Sequence, residues 1–186
     1  MKCFTILGGV NGVGKSTFAG VLTNVTEGLG TLVDADKLAV RYKGSLEGGR
    51  QAVRLLDDCI CRGEDLTWET TLSGSKTART IAAAHENGYF VRLYYVALSS
   101  AGESLTRIAN RVRKGGHNIP EDTVRRRFAK RFDDLARILP LVDEAVLFDN
   151  ENGFVHVADY DHINGLLTET GAYCTKWLDE LKERLK

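Results

Sequence analysis

Gly9-Val10-Asn11-Gly12-Val13-Gly14-Lys15-Ser16-Thr17 is the stretch that decides the fold. It satisfies the spacing G-x-x-x-x-G-K-[ST], the P-loop or Walker A pattern. In that pattern glycines permit a tight turn whose N–H groups converge on phosphate oxygens at the positive end of a helix. Lys15 adds a point charge for the outer phosphates, and the Ser16 hydroxyl is a ligand for Mg²⁺. The implied nucleotide site is Gly9, Asn11, Gly12, Val13, Gly14, Lys15, Ser16 and Thr17, holding ATP with Mg²⁺. Its flanks agree: residues 3–7 read as a buried strand and residues 17–25 as a helix.

Outward from this stretch, short apolar runs alternate with segments of helical period. Residues 31–33 form a second strand candidate ending at Asp34-Ala35-Asp36. Ala52, Val53, Leu55, Leu56, Cys59 and Ile60 then recur at three- and four-residue spacing, the mark of one apolar helix face. Residues 66–71 give a third strand, 76–86 an alanine-rich helix stopped by Asn87-Gly88, and 89–98 a long fourth strand. Residues 146–148 and 154–157 flank Asp149-Asn150-Glu151-Asn152-Gly153 as a hairpin or strand-edge turn. From Thr168 the chain reads as helical, with Tyr173, Trp177, Leu178, Leu181 and Leu185 on one stripe. The alternation predicts an α/β P-loop NTPase: a parallel sheet flanked by helices on both faces. With no linker or repeat, residues 1–186 are expected to form a single domain.

The 186 residues are 43% hydrophobic and 27% charged, with a formal net charge of zero. A chain of this size buries a core unaided, which excludes disorder and a disulfide-dependent miniprotein. Electroneutrality argues against a general nucleic-acid binder. The four cysteines Cys3, Cys59, Cys61 and Cys174 lack zinc-site spacing and read as reduced thiols. The apolar start is too short for a secretory signal, and no run is long enough to span a membrane. A cytoplasmic protein without a membrane partner is expected.

Three elements bear on where a phosphoryl group would go. Asp34 and Asp36 end the second strand, where an open parallel sheet meets its ligand crevice. Either suits deprotonation of an acceptor hydroxyl, or simply caps the following helix. Glu69 ends the third strand and faces the same crevice, to organise Mg²⁺ through water or hold the acceptor. Thr70, Thr71 and Ser73 beside it offer hydroxyl contacts or a helix cap. The third element is basic. Residues 107–131 carry nine Lys and Arg against Glu121 and Asp122. In their middle lies Lys114-Gly115-Gly116-His117-Asn118-Ile119-Pro120, a flexible connection between two helices. That arrangement suits a helical lid, at about 107–131, which closes over phosphates and excludes water. Phosphate contacts are expected among Arg111, Arg113, Arg126 and Arg127. Arg107 and Arg125 read as solvated helix positions, and His117 as a loop contact to substrate. Asn150 is either a nucleobase contact or a turn residue.

Taken together, these motifs resemble the zeta-toxin-like P-loop kinases, in particular a compact branch often labelled predicted ABC-type ATPases. The similarity runs from Gly8 to about Asn150. It rests on the P-loop, Asp34-Ala35-Asp36, Glu69-Thr70-Thr71-Leu72-Ser73-Gly74, Arg111-Val112-Arg113-Lys114-Gly115-Gly116-His117 with Pro120, Arg125-Arg126-Arg127-Phe128 and Phe148-Asp149-Asn150. The resemblance implies that Asp36 is the catalytic base and that Glu69 binds the acceptor. It also implies a sugar hydroxyl of a UDP-activated amino sugar as acceptor, and a small helical antitoxin as partner. Two stretches depart from the toxins: Thr-Thr-Leu-Ser-Gly follows Glu69 in place of G-T-x-R, and Gly-Gly-His occupies the lid where their arginine-containing loop lies.

The resulting expectation is a kinase in which Asp36, Lys15, Arg113 and Arg127 are catalytic and Glu69, Thr70, Thr71 and His117 contact a small hydroxyl acceptor. Alternatives are a kinase for a nucleoside, antibiotic or other metabolite, and a nucleotide-binding regulatory NTPase. A transporter-type ATPase is disfavoured, because Val96-Ala97-Leu98-Ser99-Ser100 ends without an acid.

Overall fold

The computed structural model describes residues 1–116, 118–171 and 175–186. Seven strands form one sheet in the order β2-β3-β1-β4-β5-β6-β7, where β1 is Lys2–Gly8, β2 Thr31–Asp34, β3 Leu66–Thr70, β4 Tyr89–Ala97, β5 Glu144–Asp149, β6 Val155–Asp161 and β7 Leu166–Glu169. The first five are parallel, and β6 and β7 add antiparallel edges. β1 lies between β3 and β4 and is buried beyond Lys2, as expected of a strand covered on both faces.

The helices are α1 Lys15–Leu22, α2 Ala35–Arg41, α3 Ser45–Arg62, α4 Lys76–Glu86, α5 Ala101–Arg113, α6 Glu121–Ile138 and α7 Lys176–Arg184. They cover the two faces unequally. Apolar residues of α3, α4, α6 and α7 join Phe4, Ile6, Leu93 and Leu147 in the main core. On the other face Phe18, Ala19 and Leu22 of α1 pack with Leu7, Val96 and Phe128. Among the described residues no helix is long and apolar enough to cross a membrane. Cys3, Cys59 and Cys61 are free thiols, and Cys174 lies outside the described residues.

α6 belongs to three regions. Its C-terminal half places Phe132, Leu135 and Ile138 in the main core. Burying each side chain of that kind is worth roughly 1.5–3 kcal/mol as an upper estimate, so this half is firmly anchored. Its N-terminal half sets Phe128 in the core of the other face and, toward its tip, shares with α5 a small cluster of Ile108, Ile119 and Val124, next to Leu105. The basic helical pair is thus rooted in the domain at one end and thinly cored at the other.

Two sequence expectations need correction. Thr168 is not helical: Leu166–Glu169 pairs antiparallel with β6, after a turn closed by Gly165, and the helix starts only at Lys176. Alternation over four residues is too short a signal to separate a strand from a helix start. The expected stripe continues in the buried Trp177, Leu178 and Leu181, while Tyr173 lies outside the described residues. Ala35 and Asp36, read as part of the strand end, open α2 instead, because Asp34 caps it.

Candidate active site

Hydrogen-bond register sets the site's floor. β1 and β3 align Leu7 with Glu69 and Gly8 with Thr70, while β2 and β3 align Asp34 with Glu69. The C-terminal ends of three neighbouring strands therefore finish level, and the chain leaving β1 is the P-loop. Gly9 has φ +141, and any Cβ there would run into the Val96 carbonyl. Gly14 caps α1 at φ +97 with no side-chain cap, so the first-turn amides of α1 open toward the cleft.

A cleft of about 550 Å³ lies over this loop. Lys15, only 7% exposed, donates from Nζ to the Val10 carbonyl at 3.2 Å. Burial pushes its pKa down, against the opposing pull of Glu69, Asp36 and Asp34. Ser16 Oγ lies 3.1 and 3.0 Å from the two Glu69 carboxylate oxygens and donates its single proton there. Burial raises the Glu69 pKa, with Lys15 and the Ser16 hydrogen bond pulling it back.

The two aspartates divide their work. Asp34 Oδ1 accepts from the amides of Asp36 at 2.9 Å and Lys37 at 3.2 Å, and so is committed to capping α2. That cap swings Asp36 into the first turn of α2, where it lines the cleft opposite Lys15 and Ser16.

Another wall of the cleft is made by one face of α5 and its continuation. Arg107, Asn110, Arg111 and Lys114 line the cleft, spaced by three, four and seven residues from the first, as one helical face requires. Arg113 falls on another face. It is exposed, outside the cleft, and bonded to Asn110 Oδ1 at 3.4 Å. Arg107, expected to be solvated, instead lines the cleft and donates to Glu103 and to the Asn150 carbonyl. Residue type suggested the arginines, but helical phase, also available in the sequence, separates Arg107 and Arg111 from Arg113. Arg126 is exposed, and Arg125 pairs with Glu121 at 2.6 Å.

Arg127 does not line the cleft but bonds the P-loop, donating to Asn11 Oδ1 at 2.7 Å, while Ser104 of α5 bonds the Asn11 carbonyl. Asn11 therefore joins both lid helices to the loop. Of the remaining residues expected at a nucleotide, Gly12, Gly14 and Thr17 line the cleft, whereas Gly9 and Val13 do not. Ile108 and Phe154, which no motif singles out, also line it.

Of the residues expected to meet an acceptor, Glu69 lines the cleft, but Thr70 and Thr71 do not. Thr70 Oγ1 accepts from the Leu72 amide at 3.2 Å, and Thr71 pairs with Ser73 at 2.8 Å. Leu72 sits at φ +61, a left-handed conformation costing about 1–2 kcal/mol, offset by full burial of its side chain. Arg137 donates to the carbonyls of Leu72 and Gly74 at 3.2 and 2.7 Å, which holds this loop behind Glu69. His117 lies outside the described residues.

Ser16 and Glu69 form a hard oxygen donor pair, and among the described residues no group of three or more His, Cys, Asp or Glu is placed to hold a metal. Such a sparse set fits Mg²⁺, which takes most of its ligands from phosphates and water, and does not fit zinc.

A P-loop at the head of a central parallel strand, acidic residues on the neighbouring strand ends and a basic helical pair over them together define an α/β fold of the P-loop kinase type. The chain belongs to the zeta toxin family: the family model described as Zeta toxin matches residues 44–157, more than half of its length. The P-loop itself precedes that matched segment. An uncharacterized protein of Haemophilus influenzae is 32% identical over 126 residues, covering 64% of this chain and 88% of its own. Among solved structures, the PezAT chromosomal toxin-antitoxin system of Streptococcus pneumoniae contains a chain with TM-score 0.66 at 16% identity, covering all of this chain and 86% of that one. AvrRxo1-ORF1:-ORF2 with ATP gives a TM-score of 0.68 at 19% identity, over all of this chain and 63% of that one. A gluconokinase from Sinorhizobium meliloti gives 0.50 at 14% identity, over 81% and 84% of the two chains. At these identities the structural likenesses speak to fold.

Proposed function

We propose that this chain is an ATP-dependent phosphotransferase that moves the γ-phosphoryl group to a hydroxyl of a small acceptor. The observation that carries this reading is a single cleft in which Lys15 and Ser16 of the P-loop face Asp36 and Glu69, beneath Arg107 and Arg111 of the lid. The P-loop amides and Lys15 hold the β and γ phosphates. Asp36 accepts the acceptor's hydroxyl proton as its oxygen bonds to the γ phosphorus, and the bond to the β–γ bridging oxygen breaks to release ADP. Glu69 orients the acceptor, and the lid arginines stabilise charge on the transferring group while excluding water. Mg²⁺, held by Ser16 and by Glu69 directly or through water, would neutralise charge on the β and γ phosphates.

A UDP-activated amino sugar is the first acceptor to test, on the strength of family membership, and a small helical antitoxin is the corresponding protein partner. Action in the cytoplasm fits an ATP-consuming reaction. The experiment is incubation with γ-labelled ATP and a panel of sugar nucleotides, nucleosides, aminoglycosides and simple sugars. Label on a sugar nucleotide hydroxyl supports the toxin-like acceptor, and label on another alcohol supports a metabolite kinase. Nucleotide binding with no labelled product beyond phosphate overturns the kinase reading.

A further inference from the structure

The residues that end β5 grip the P-loop from the side opposite the acidic wall. Asn150 donates from Nδ2 to the Val13 carbonyl at 2.7 Å, donates its amide to the Ala97 carbonyl at 3.0 Å and accepts from Arg107 at its own carbonyl. One residue thus touches the loop, the end of β4 and the lid. The fit to the loop is close: a Cβ on Gly14 would sit 2.7 Å from Asn150 Nδ2.

Asn150 is itself held from behind. The preceding Asp149 is 1% exposed, and its carboxylate accepts from the Trp177 indole N–H at 2.7 Å and the Glu151 amide at 2.9 Å. Trp177 belongs to α7 and stacks on Phe132 of α6, with ring centroids 5.7 Å apart. α7 is tied to the same helix by Arg131–Glu180 and Arg184–Asp133, each at 2.7 Å.

Peptide geometry gives this chain of contacts a consequence at the phosphate. In a planar trans peptide the carbonyl of one residue and the N–H of the next point in opposite directions. Holding the Val13 carbonyl against Asn150 therefore turns the Gly14 N–H away from Asn150 and toward the cleft that Gly14 lines. We propose that Asn150 is a positioning residue for the nucleotide phosphates, acting through the Val13–Gly14 peptide, and that Trp177 of α7 fixes it through Asp149. The inference rests on the nucleotide-binding reading of the cleft. It assigns the C-terminal helix a part in ATP affinity, although α7 itself does not line the site.

The test is ATP affinity by calorimetric titration, a readout that needs no acceptor, with thermal melting to establish that each variant is folded. Asn150→Ala is expected to weaken ATP binding about tenfold and Trp177→Phe, which keeps a ring on Phe132, about fivefold. The double variant is expected to bind no more weakly than Asn150→Ala, because both act through one contact. Asn150→Asp, which sets an acceptor against the Val13 carbonyl, should bind at least as weakly as Asn150→Ala. In turnover assays the KM for ATP is expected to rise by more than kcat falls, the mark of a loss mainly in binding; a fall in kcat with KM unchanged overturns the proposal.

Wild-type affinity in Asn150→Ala or Asn150→Asp overturns the proposal, as does a double variant showing the product of the two single losses. Should Trp177→Phe fail to fold, the two Asn150 variants decide. A wild-type protein that binds ATP but phosphorylates nothing ends the kinase reading and leaves this inference standing, whereas one that binds no ATP ends both.

Discussion

The two walls of the cleft are built on different principles. The lower wall stands on the ends of β1, β2 and β3, locked by strand register and by the main core beneath, so Lys15, Ser16 and Glu69 have little freedom to separate. The upper wall is a helical pair whose outer half shares three buried apolar residues, Ile108, Ile119 and Val124. It is moored by discrete hydrogen bonds, from Ser104 and Arg127 to Asn11 of the P-loop and from Arg107 to Asn150 after β5. The lower wall is thus set by the sheet, whereas the upper wall depends on a small core and a few hydrogen bonds. Under the proposed function, water exclusion falls to the wall with the smaller core.

The sharpest way to break this comparison is to remove a charge from each wall. Lys15→Ala should lower kcat/KM by about 10³-fold and weaken ATP binding with it, since the lysine meets phosphate in both ground and transition states. Retention of wild-type kcat/KM would mean that the lower wall is not the phosphate wall. In the lid, Arg111→Ala and Arg107→Ala should each lower kcat about tenfold or more, and raise the share of ATP lost to hydrolysis, in a coupled assay of ADP against labelled product. Arg113→Ala should change either quantity less than about twofold, as is usual for an exposed side chain away from the cleft. Equal losses in all three would show that charge and not helical phase matters there.

The smallest expected effect is one of pH. Burial raises the Glu69 pKa, so on acidification this carboxylate takes up its proton at a higher pH than an ordinary glutamate. Burial lowers the Lys15 pKa, so its charge is lost earlier than usual as pH rises. The profile of kcat/KM, which reports groups of the free enzyme, should therefore be narrowed from both sides. Its acid limb should move to lower pH in Glu69→Gln. An acid limb that stays in place in that variant would remove Glu69 from the reaction.

The lower wall was legible in the sequence because its chemistry follows directly from a strand–loop–helix motif and from acids at strand ends. The P-loop, the central strands and α4 stand where periodicity puts them. What periodicity did not resolve was local competition. Asp34 and Asp36 look alike as residues, and only the cap on α2 shows that Asp34 is spent on backbone amides while Asp36 is left to face the cleft. In the lid, counting arginines pointed to Arg113, whereas the three- and four-residue phase from Arg107 to Arg111 identifies the inward face. β7 escaped notice because a four-residue edge strand carries almost no periodic signal. Phe154 and the Asn150 contacts were hidden for a different reason: they arise from β5 and β6 meeting the P-loop across more than a hundred residues of sequence.

The most direct test of the account compares Asp36→Asn with Asp34→Asn in single-turnover phosphoryl transfer, with ATP affinity measured alongside. Asparagine preserves the capping oxygen at position 34, so Asp34→Asn should transfer within about threefold of wild type. Asp36→Asn should bind ATP normally and transfer about 10³-fold more slowly, for want of an acceptor of the hydroxyl proton. Undiminished transfer by Asp36→Asn would contradict the account.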